Sequence, residues 1–195
     1  MDDTGFMRIV GGSAKGHEIF QPKSPKTRPL SDRAREGLFN VLGDVSGSKM
    51  LDAYAGSGAV GLEAISRGAK HVTGVEIARD AAQVIRKNFY KLQFGESYKL
   101  CTQSVQRWLN QNQHQLGSFD LIFAGPPYAK IDEVVLNQLA KFLASDGLMV
   151  VEHSKRFQAP KLNDAVFITS RQYGESVLSF YRCKPKPKAK ANKRD

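Results

Sequence analysis

The sequence predicts an α/β protein with a mostly parallel seven-stranded sheet that ends in an antiparallel hairpin, preceded by a small β-hairpin extension. Three observations lead there. Between Lys49 and Glu152 short apolar runs alternate with longer segments of helical period, the pattern of repeated βαβ units around a parallel sheet. After them, Ala165-Val-Phe-Ile-Thr169 and Ser176-Val-Leu-Ser-Phe-Tyr181 are strand-like runs separated by Gly174 and polar residues instead of a helix, which reads as a hairpin. Ahead of them, the segment from Arg8-Ile-Val-Gly-Gly to Glu18-Ile-Phe20 divides two short β-prone runs with glycines and a lysine, a second and smaller hairpin.

The elements follow in order. Lys23 to Pro29 is a basic, proline-rich link, and Ser31 is placed to cap a helix opening with Asp-Arg-Ala-Arg-Glu36. The core continues as strand at Met50-Leu51 toward Tyr54, helix from Gly58 to Ser66, strand His71 to Glu76 and helix from about Arg79 to Phe94. Strand Tyr98 to Cys101, helix Val105 to Asn110, strand Phe119 to Ala124, helix Ile131 to Leu143 and strand Leu148 to Glu152 complete it. From Cys183 to Arg194 lysine repeats with proline or alanine, no apolar residue is available as an anchor, and disorder is expected. The organisation is thus an N-terminal extension over 1–30, one domain over 31–182 and a basic tail over 183–195.

A chain of 195 residues with 41% apolar composition can bury one substantial core. Its formal charge of +10 predicts attraction to polyanions, nucleic acid first. Cys101 and Cys183 lie far apart without zinc-site spacing, and four histidines are scattered singly, so no metal is expected. No stretch approaches the ~18–20 consecutive apolar residues of a membrane span, and the acidic N-terminus lacks a secretion-signal pattern. The expected location is the cytoplasm.

The segment Asp52-Ala-Tyr-Ala-Gly-Ser-Gly-Ala-Val-Gly-Leu62 carries the functional reading. Gly56-x-Gly58-x-x-Gly61 follows a strand, opens a helix and precedes the acidic Glu76 by about twenty positions, a match to the dinucleotide fingerprint. The glycines alone do not separate NAD from S-adenosylmethionine (AdoMet). Asp52, at the strand end, does: its carboxylate facing the loop would repel a pyrophosphate and attract the ammonium of AdoMet. Glu76, at the next strand's end, suits a bidentate acceptor for ribose hydroxyls, and Ile77 is placed to pack on adenine. Tyr54, Gly56, Ser57 and Gly58 of the loop, and Ser104 and Val105 after the third core strand, complete the expected cofactor contacts. With the terminal hairpin, this describes a Rossmann-like class I AdoMet-dependent methyltransferase.

A second motif, Phe119-Asp-Leu-Ile-Phe-Ala-Gly-Pro-Pro-Tyr128, ends a strand with two prolines that cannot continue it. The backbone is fixed at the crevice, where carbonyls can accept hydrogen bonds from a substrate amine and Tyr128 can stack on a flat base.

These motifs together resemble the RsmD family of bacterial 16S ribosomal RNA guanine-N2 methyltransferases. The resemblance runs from about Arg8 to Tyr181 and rests on Arg8-Ile-Val-Gly-Gly with Lys15-Gly16, Arg28-Pro29 before Ser31-Asp-Arg-Ala-Arg-Glu36, the loop Asp52 to Glu63 with Ser66-Arg-Gly-Ala69, and Pro126-Pro127-Tyr128. It implies methylation of one guanosine amine in 16S ribosomal RNA, within an assembling small-subunit particle; a monomer is expected. It also implies Gly125, Pro126, Pro127 and Tyr128 as the catalytic segment. Two departures stand out. Gly125 occupies the place of the family's Asp or Asn, and Ser104 occupies a position where an acid commonly meets the adenine amine.

Arg8, Lys15, Lys23, Lys26, Arg28, Arg33 and Arg35 cluster before the core with few acids between them, a candidate phosphate-binding patch. Arg8, Lys15, Arg28, Arg33 and Arg35 are its expected RNA contacts. Three readings compete with the methyltransferase. A non-catalytic RNA-binding or assembly protein with a vestigial AdoMet site is favoured by Gly125 and Ser104, a nicotinamide oxidoreductase by the glycine spacing, and a DNA amino-methyltransferase by Pro-Pro-Tyr.

Overall fold

The computed structural model describes residues 6–22, 29–127 and 131–185. Two short strands, β1 (Phe6–Arg8) and β2 (Glu18–Phe20), pair antiparallel as the N-terminal sheet. Helix α1 (Asp32–Leu42) follows, and Ser31 caps it by accepting from the Ala34 amide at 3.3 Å. The main sheet is built from β3 (Lys49–Ala53), β4 (His71–Glu76), β5 (Tyr98–Thr102), β6 (Phe119–Ala124), β7 (Leu143–Ser154), β8 (Ala165–Tyr173) and β9 (Ser176–Cys183). Between its strands run α2 (Ala59–Ser66), α3 (Arg79–Leu92), α4 (Val105–Gln111) and α5 (Glu133–Ala140). The strand order is β5-β4-β3-β6-β7-β9-β8, with β9 antiparallel to both neighbours and the rest parallel. The seven-stranded architecture and its closing hairpin are those expected from sequence.

This order reverses direction between β3 and β6. Such a switch point opens a crevice at the carboxyl ends of the two strands, where α/β sheets bind ligands. The glycine loop after β3 and the Gly125-Pro126-Pro127 segment after β6 flank it.

One stretch departs from the sequence pattern. Helix α5 ends at Ala140, three residues before the expected Leu143, and β7 begins at Leu143 rather than Leu148. Phe142 and Leu143 are both buried in the core, which takes them out of helical register. The strand then bulges: its pairing with β6 shifts between Phe119 and Leu121, Asp146 has φ of 64°, and a Cβ on Gly147 would lie 3.1 Å from the Phe119 carbonyl oxygen.

The sheet divides the core. On one face Leu38 and Phe39 of α1, Leu62 and Ile65 of α2 and Ile85 of α3 pack together with Met7, Ile9 and Ile19 of the N-terminal hairpin. On the other, Trp108 of α4 meets Phe119 and Phe142 at ring-centroid distances of 6.0 and 5.1 Å, a contact set worth roughly 0.5–1.5 kcal/mol per pair beyond burial.

Polar clasps bind the hairpin to this core. Glu63, buried on α2, accepts from the Val10 amide at 2.8 Å and pairs with Arg67 at 2.8 Å. Ser66 Oγ donates to the Gly11 carbonyl and accepts from the Ala14 amide. Asn88 of α3 holds the last residue of β2 from both sides: Oδ1 accepts from the Phe20 amide at 2.7 Å and Nδ2 donates to the Phe20 carbonyl at 3.0 Å. No helix among the described residues is long and apolar enough to cross a membrane.

Candidate active site

The loop after β3 takes an unusual path. Tyr54, Gly56 and Gly58 have φ of 70°, 56° and 76°, so three alternate residues lie in the left-handed region. Glycine adopts it freely, whereas for Tyr54 it costs about 1 kcal/mol or more, strain stored at the crevice. Gly58 then caps α2. A Cβ on Gly56 would meet nothing nearer than the Tyr54 carbonyl oxygen at 4.0 Å, so the outer side of the loop is open to close approach by a ligand; on Gly58 it would press on Ile85 at 3.1 Å. Ser57 faces inward, its Oγ 3.7 Å from Met7 Sδ and its carbonyl accepting from Asn88. Its amide remains for a cofactor; its side chain does not.

Glu76 locks this loop. One carboxylate oxygen accepts from the Gly56 amide at 2.8 Å and the other from the Ala78 amide at 2.7 Å. Each oxygen retains a second lone pair, so a carboxylate held this rigidly is pre-oriented for a diol. Beside it Ile77 is 67% exposed, an apolar side chain in solvent where a flat ring can cover it.

Asp52 faces the loop from beneath. Its carboxyl is buried there, accepting from the Gly61 amide of α2 at 3.1 Å. Burial pushes its pKa up to about 7; the Gly61 hydrogen bond opposes this and the Glu76 charge adds to it.

Ser104 is committed to a cap, its Oγ accepting from the Arg107 amide at 3.2 Å, and the Val105 side chain is buried. Together they offer a ring the backbone at the start of α4.

At the end of β6, the Gly125 amide donates to the Ala53 carbonyl at 3.4 Å, which ties the second motif to the cofactor loop across the switch point. A Cβ on Gly125 would lie 3.2 Å from Glu152 Oε2 and 3.2 Å from the Phe123 ring. The space a side chain would take is bordered by another residue's carboxylate. Pro126 is half-buried and Pro127 exposed; Tyr128 lies outside the described residues.

Glu152 is the functional candidate that sequence reasoning missed. It ends the apolar run of a parallel strand, as Glu76 does, and that position carried the available signal. It is buried, and Ser176 Oγ donates to its Oε1 at 3.0 Å. Ser176 also forms a wall of a cleft of about 330 Å³, bounded by Pro29, Ser31, Arg33 and Tyr173. Tyr173 reaches α1 through a gap at Gly37, where a Cβ would fall 1.9 Å from its hydroxyl oxygen.

The basic cluster divides. Arg8, Lys15 and Arg33 are exposed, while Lys23, Lys26 and Arg28 lie outside the described residues. Arg35 corrects the expectation of an RNA contact. It is fully buried, donating to the carbonyls of Leu30 and Arg8 and pairing with Asp32 at 2.8 Å. A guanidinium so enclosed cannot meet a phosphate; it sits on the inner face of α1, where residues four apart from Ser31 turn toward the core. No group of three His, Cys, Asp or Glu side chains among the described residues could hold a metal ion.

Comparison with known proteins bears on this site. The family model described as "Conserved hypothetical protein 95" matches residues 7–182. The Ribosomal RNA small subunit methyltransferase D of Escherichia coli (strain K12) is 36% identical over 153 residues, 76% of this chain and 75% of that protein. The solved YhhF protein of Escherichia coli superposes with a TM-score of 0.82 at 29% identity, covering 93% of this chain and 100% of the other. SMU.776, solved in complex with SAH, shares the fold at a TM-score of 0.70 and 14% identity, over 93% of this chain and 57% of its own.

Proposed function

From a chain that belongs to the RsmD family of ribosomal RNA methyltransferases, we propose an enzyme that methylates the exocyclic N2 amine of one guanosine in 16S ribosomal RNA during small-subunit assembly in the cytoplasm. AdoMet is the cofactor, and it supplies an electrophilic sulfonium methyl group. The observation that carries this reading is the Glu76 clamp on Gly56 and Ala78 at the switch point, beside the exposed Ile77. That arrangement offers a ribose acceptor and an adenine platform on a pre-set loop, so the residues present fit the cofactor.

The guanine N2 lone pair is delocalised into its ring, and the protein's contribution is chiefly to hold the amine in line and accept its hydrogens. The carbonyls of Gly125 and Pro126 serve as acceptors, and Tyr128 stacks on the base after it has left the RNA stack. Arg8, Lys15, Arg28 and Arg33 hold phosphates, a role that Arg35 does not share.

Two variants test the parts. Glu76→Ala removes the carboxylate acceptor and frees two loop amides; with hydrogen bonds to charged groups worth about 1.5–3 kcal/mol, AdoMet affinity by calorimetry drops roughly 100-fold. Replacing Arg8, Lys15 and Arg33 together by Ala weakens ribosomal RNA binding and lowers its log–log salt slope by about 0.7 per lost contact on single strands. A slope identical to wild type removes those residues from the RNA interface.

The deciding experiment for function is transfer of labelled methyl to small-subunit particles, naked 16S RNA and duplex DNA, followed by mapping of the modified base. N2-methylguanosine at one site in particles is the expected product. AdoMet binding without transfer would support the vestigial-site reading that Gly125 favours, and transfer to duplex DNA would replace the RNA assignment.

A further inference from the structure

Gly125 leaves the catalytic segment without a side-chain acceptor, yet a carboxylate stands at that place. Ala124 of β6 pairs with Val151 of β7, so the next residues, Gly125 and Glu152, emerge side by side at the carboxyl edge of the sheet. Glu152 Oε2 lies 3.2 Å from where a Gly125 Cβ would be, so a side chain there would press on the carboxylate and displace it by a few tenths of an ångström. Oε1 accepts from Ser176, a residue that also lines the cleft bounded by Pro29, Arg33 and Tyr173. Glu152 is 8% exposed and fixed by a neighbour, the properties of a positioned acid rather than of a solvated strand end.

We propose that Glu152 supplies, from the neighbouring strand, the carboxylate acceptor that Gly125 lacks, receiving a hydrogen of the target amine as methyl transfer proceeds. This rests on the methyltransferase reading above. In the step, the amine lone pair forms the N–C bond as the C–S bond breaks and the sulfonium becomes a thioether. The amine proton then passes to Glu152 and on to solvent. The carboxylate also attracts the positive charge that develops on the nitrogen, an interaction stronger in the transition state than in the ground state.

The geometry makes an unusual demand on the obvious repair. Gly125→Asp would place a second carboxylate against Glu152, where two like charges cannot both ionise comfortably. It should therefore lower transfer to small-subunit particles in the wild-type background. Glu152→Gln keeps an acceptor for Ser176 and should cut kcat by about 100-fold with AdoMet affinity unchanged, within the range for positioned proton acceptors. Combining Glu152→Gln with Gly125→Asp should restore at least a tenth of wild-type kcat, because the acid returns from the adjacent strand. A purely structural Glu152 predicts no such rescue.

The measurement is kcat and its pH profile for the four proteins on particles, with AdoMet calorimetry as the folding control. Full activity of Glu152→Gln, or failure of the double variant to recover while both bind AdoMet, overturns the assignment and leaves the methyltransferase reading standing. Should Glu152→Gln fail to bind AdoMet, Gly125→Asp alone decides: reduced transfer supports the assignment and a gain overturns it. Wild type that binds AdoMet but methylates no RNA overturns the function and this role with it.

Discussion

Arg35→Ala should lower the free energy of unfolding by about 3 kcal/mol or more while leaving the salt slope of RNA binding unchanged in the protein that remains folded. The guanidinium, itself fully buried, donates to the carbonyls of Leu30 and Arg8 and to the half-exposed Asp32. Removing it strands two carbonyls at about 1–3 kcal/mol each and opens a cavity the size of a long side chain. Desolvation holds the Arg35 pKa below its ordinary value, with the Asp32 and Glu63 charges working against that, so the site already bears a cost for keeping the ion. Arg35→Lys should recover little, since one ammonium cannot span carbonyls that a planar fork reaches together. Urea unfolding and RNA titration over a salt series are the two measurements; a normal midpoint with a shallower salt slope would return Arg35 to the RNA interface.

Asp52→Asn should stabilise the cofactor-free protein above pH 7 and weaken AdoMet binding. The folded pKa of about 7 lies above the unfolded value of ~3.9, so the folded state retains the proton more strongly. For a group shifted in this direction, stability contributed by the proton is fully present below the unfolded value. It is lost progressively as pH rises through the interval up to the folded value. Asparagine keeps an acceptor for the Gly61 amide without the charge. The difference between variant and wild type should thus be near zero at pH 4 and grow to a few kcal/mol by pH 8, since three pKa units correspond to about 4 kcal/mol. Thermal melts across that range read it directly. A cationic ligand above the loop offsets the cost of the buried charge, so AdoMet affinity should fall in the variant. Unchanged affinity would assign Asp52 to loop architecture alone.

Both predictions come from residues whose types the sequence displayed and whose surroundings it did not. The sheet, its hairpin and the helix after Ser31 were legible because period and punctuation are local properties, and His71–Glu76 and Phe119–Ala124 fall on their expected bounds. Glu76 was legible too, since its place at a strand end fixes where it points. Arg35 was not: a basic residue among basic residues reads as surface until the hairpin carbonyl of Arg8 is brought to it from 27 positions away. Nor was the turn of Asp52 into the sheet's face, which depends on α2 crossing above it. The approach of Glu152 to Gly125 brings together the ends of two strands far apart in sequence, and strand order is a property of the whole chain.

The Asn88 clasp has a consequence for the order in which the chain becomes secure. The hairpin's anchors lie 53, 52 and 68 positions downstream, at Glu63, Ser66 and Asn88. Closing such long loops costs entropy before any contact compensates for it. The hairpin, which precedes all three anchors in the chain, is consequently fastened in full only once α3 has emerged and folded. Because Asn88 also donates to the Ser57 carbonyl, the contact that completes the hairpin's fastening also finishes the cofactor loop, and a nascent chain stopped before α3 has the Glu63 and Ser66 clasps but lacks both of those made by Asn88.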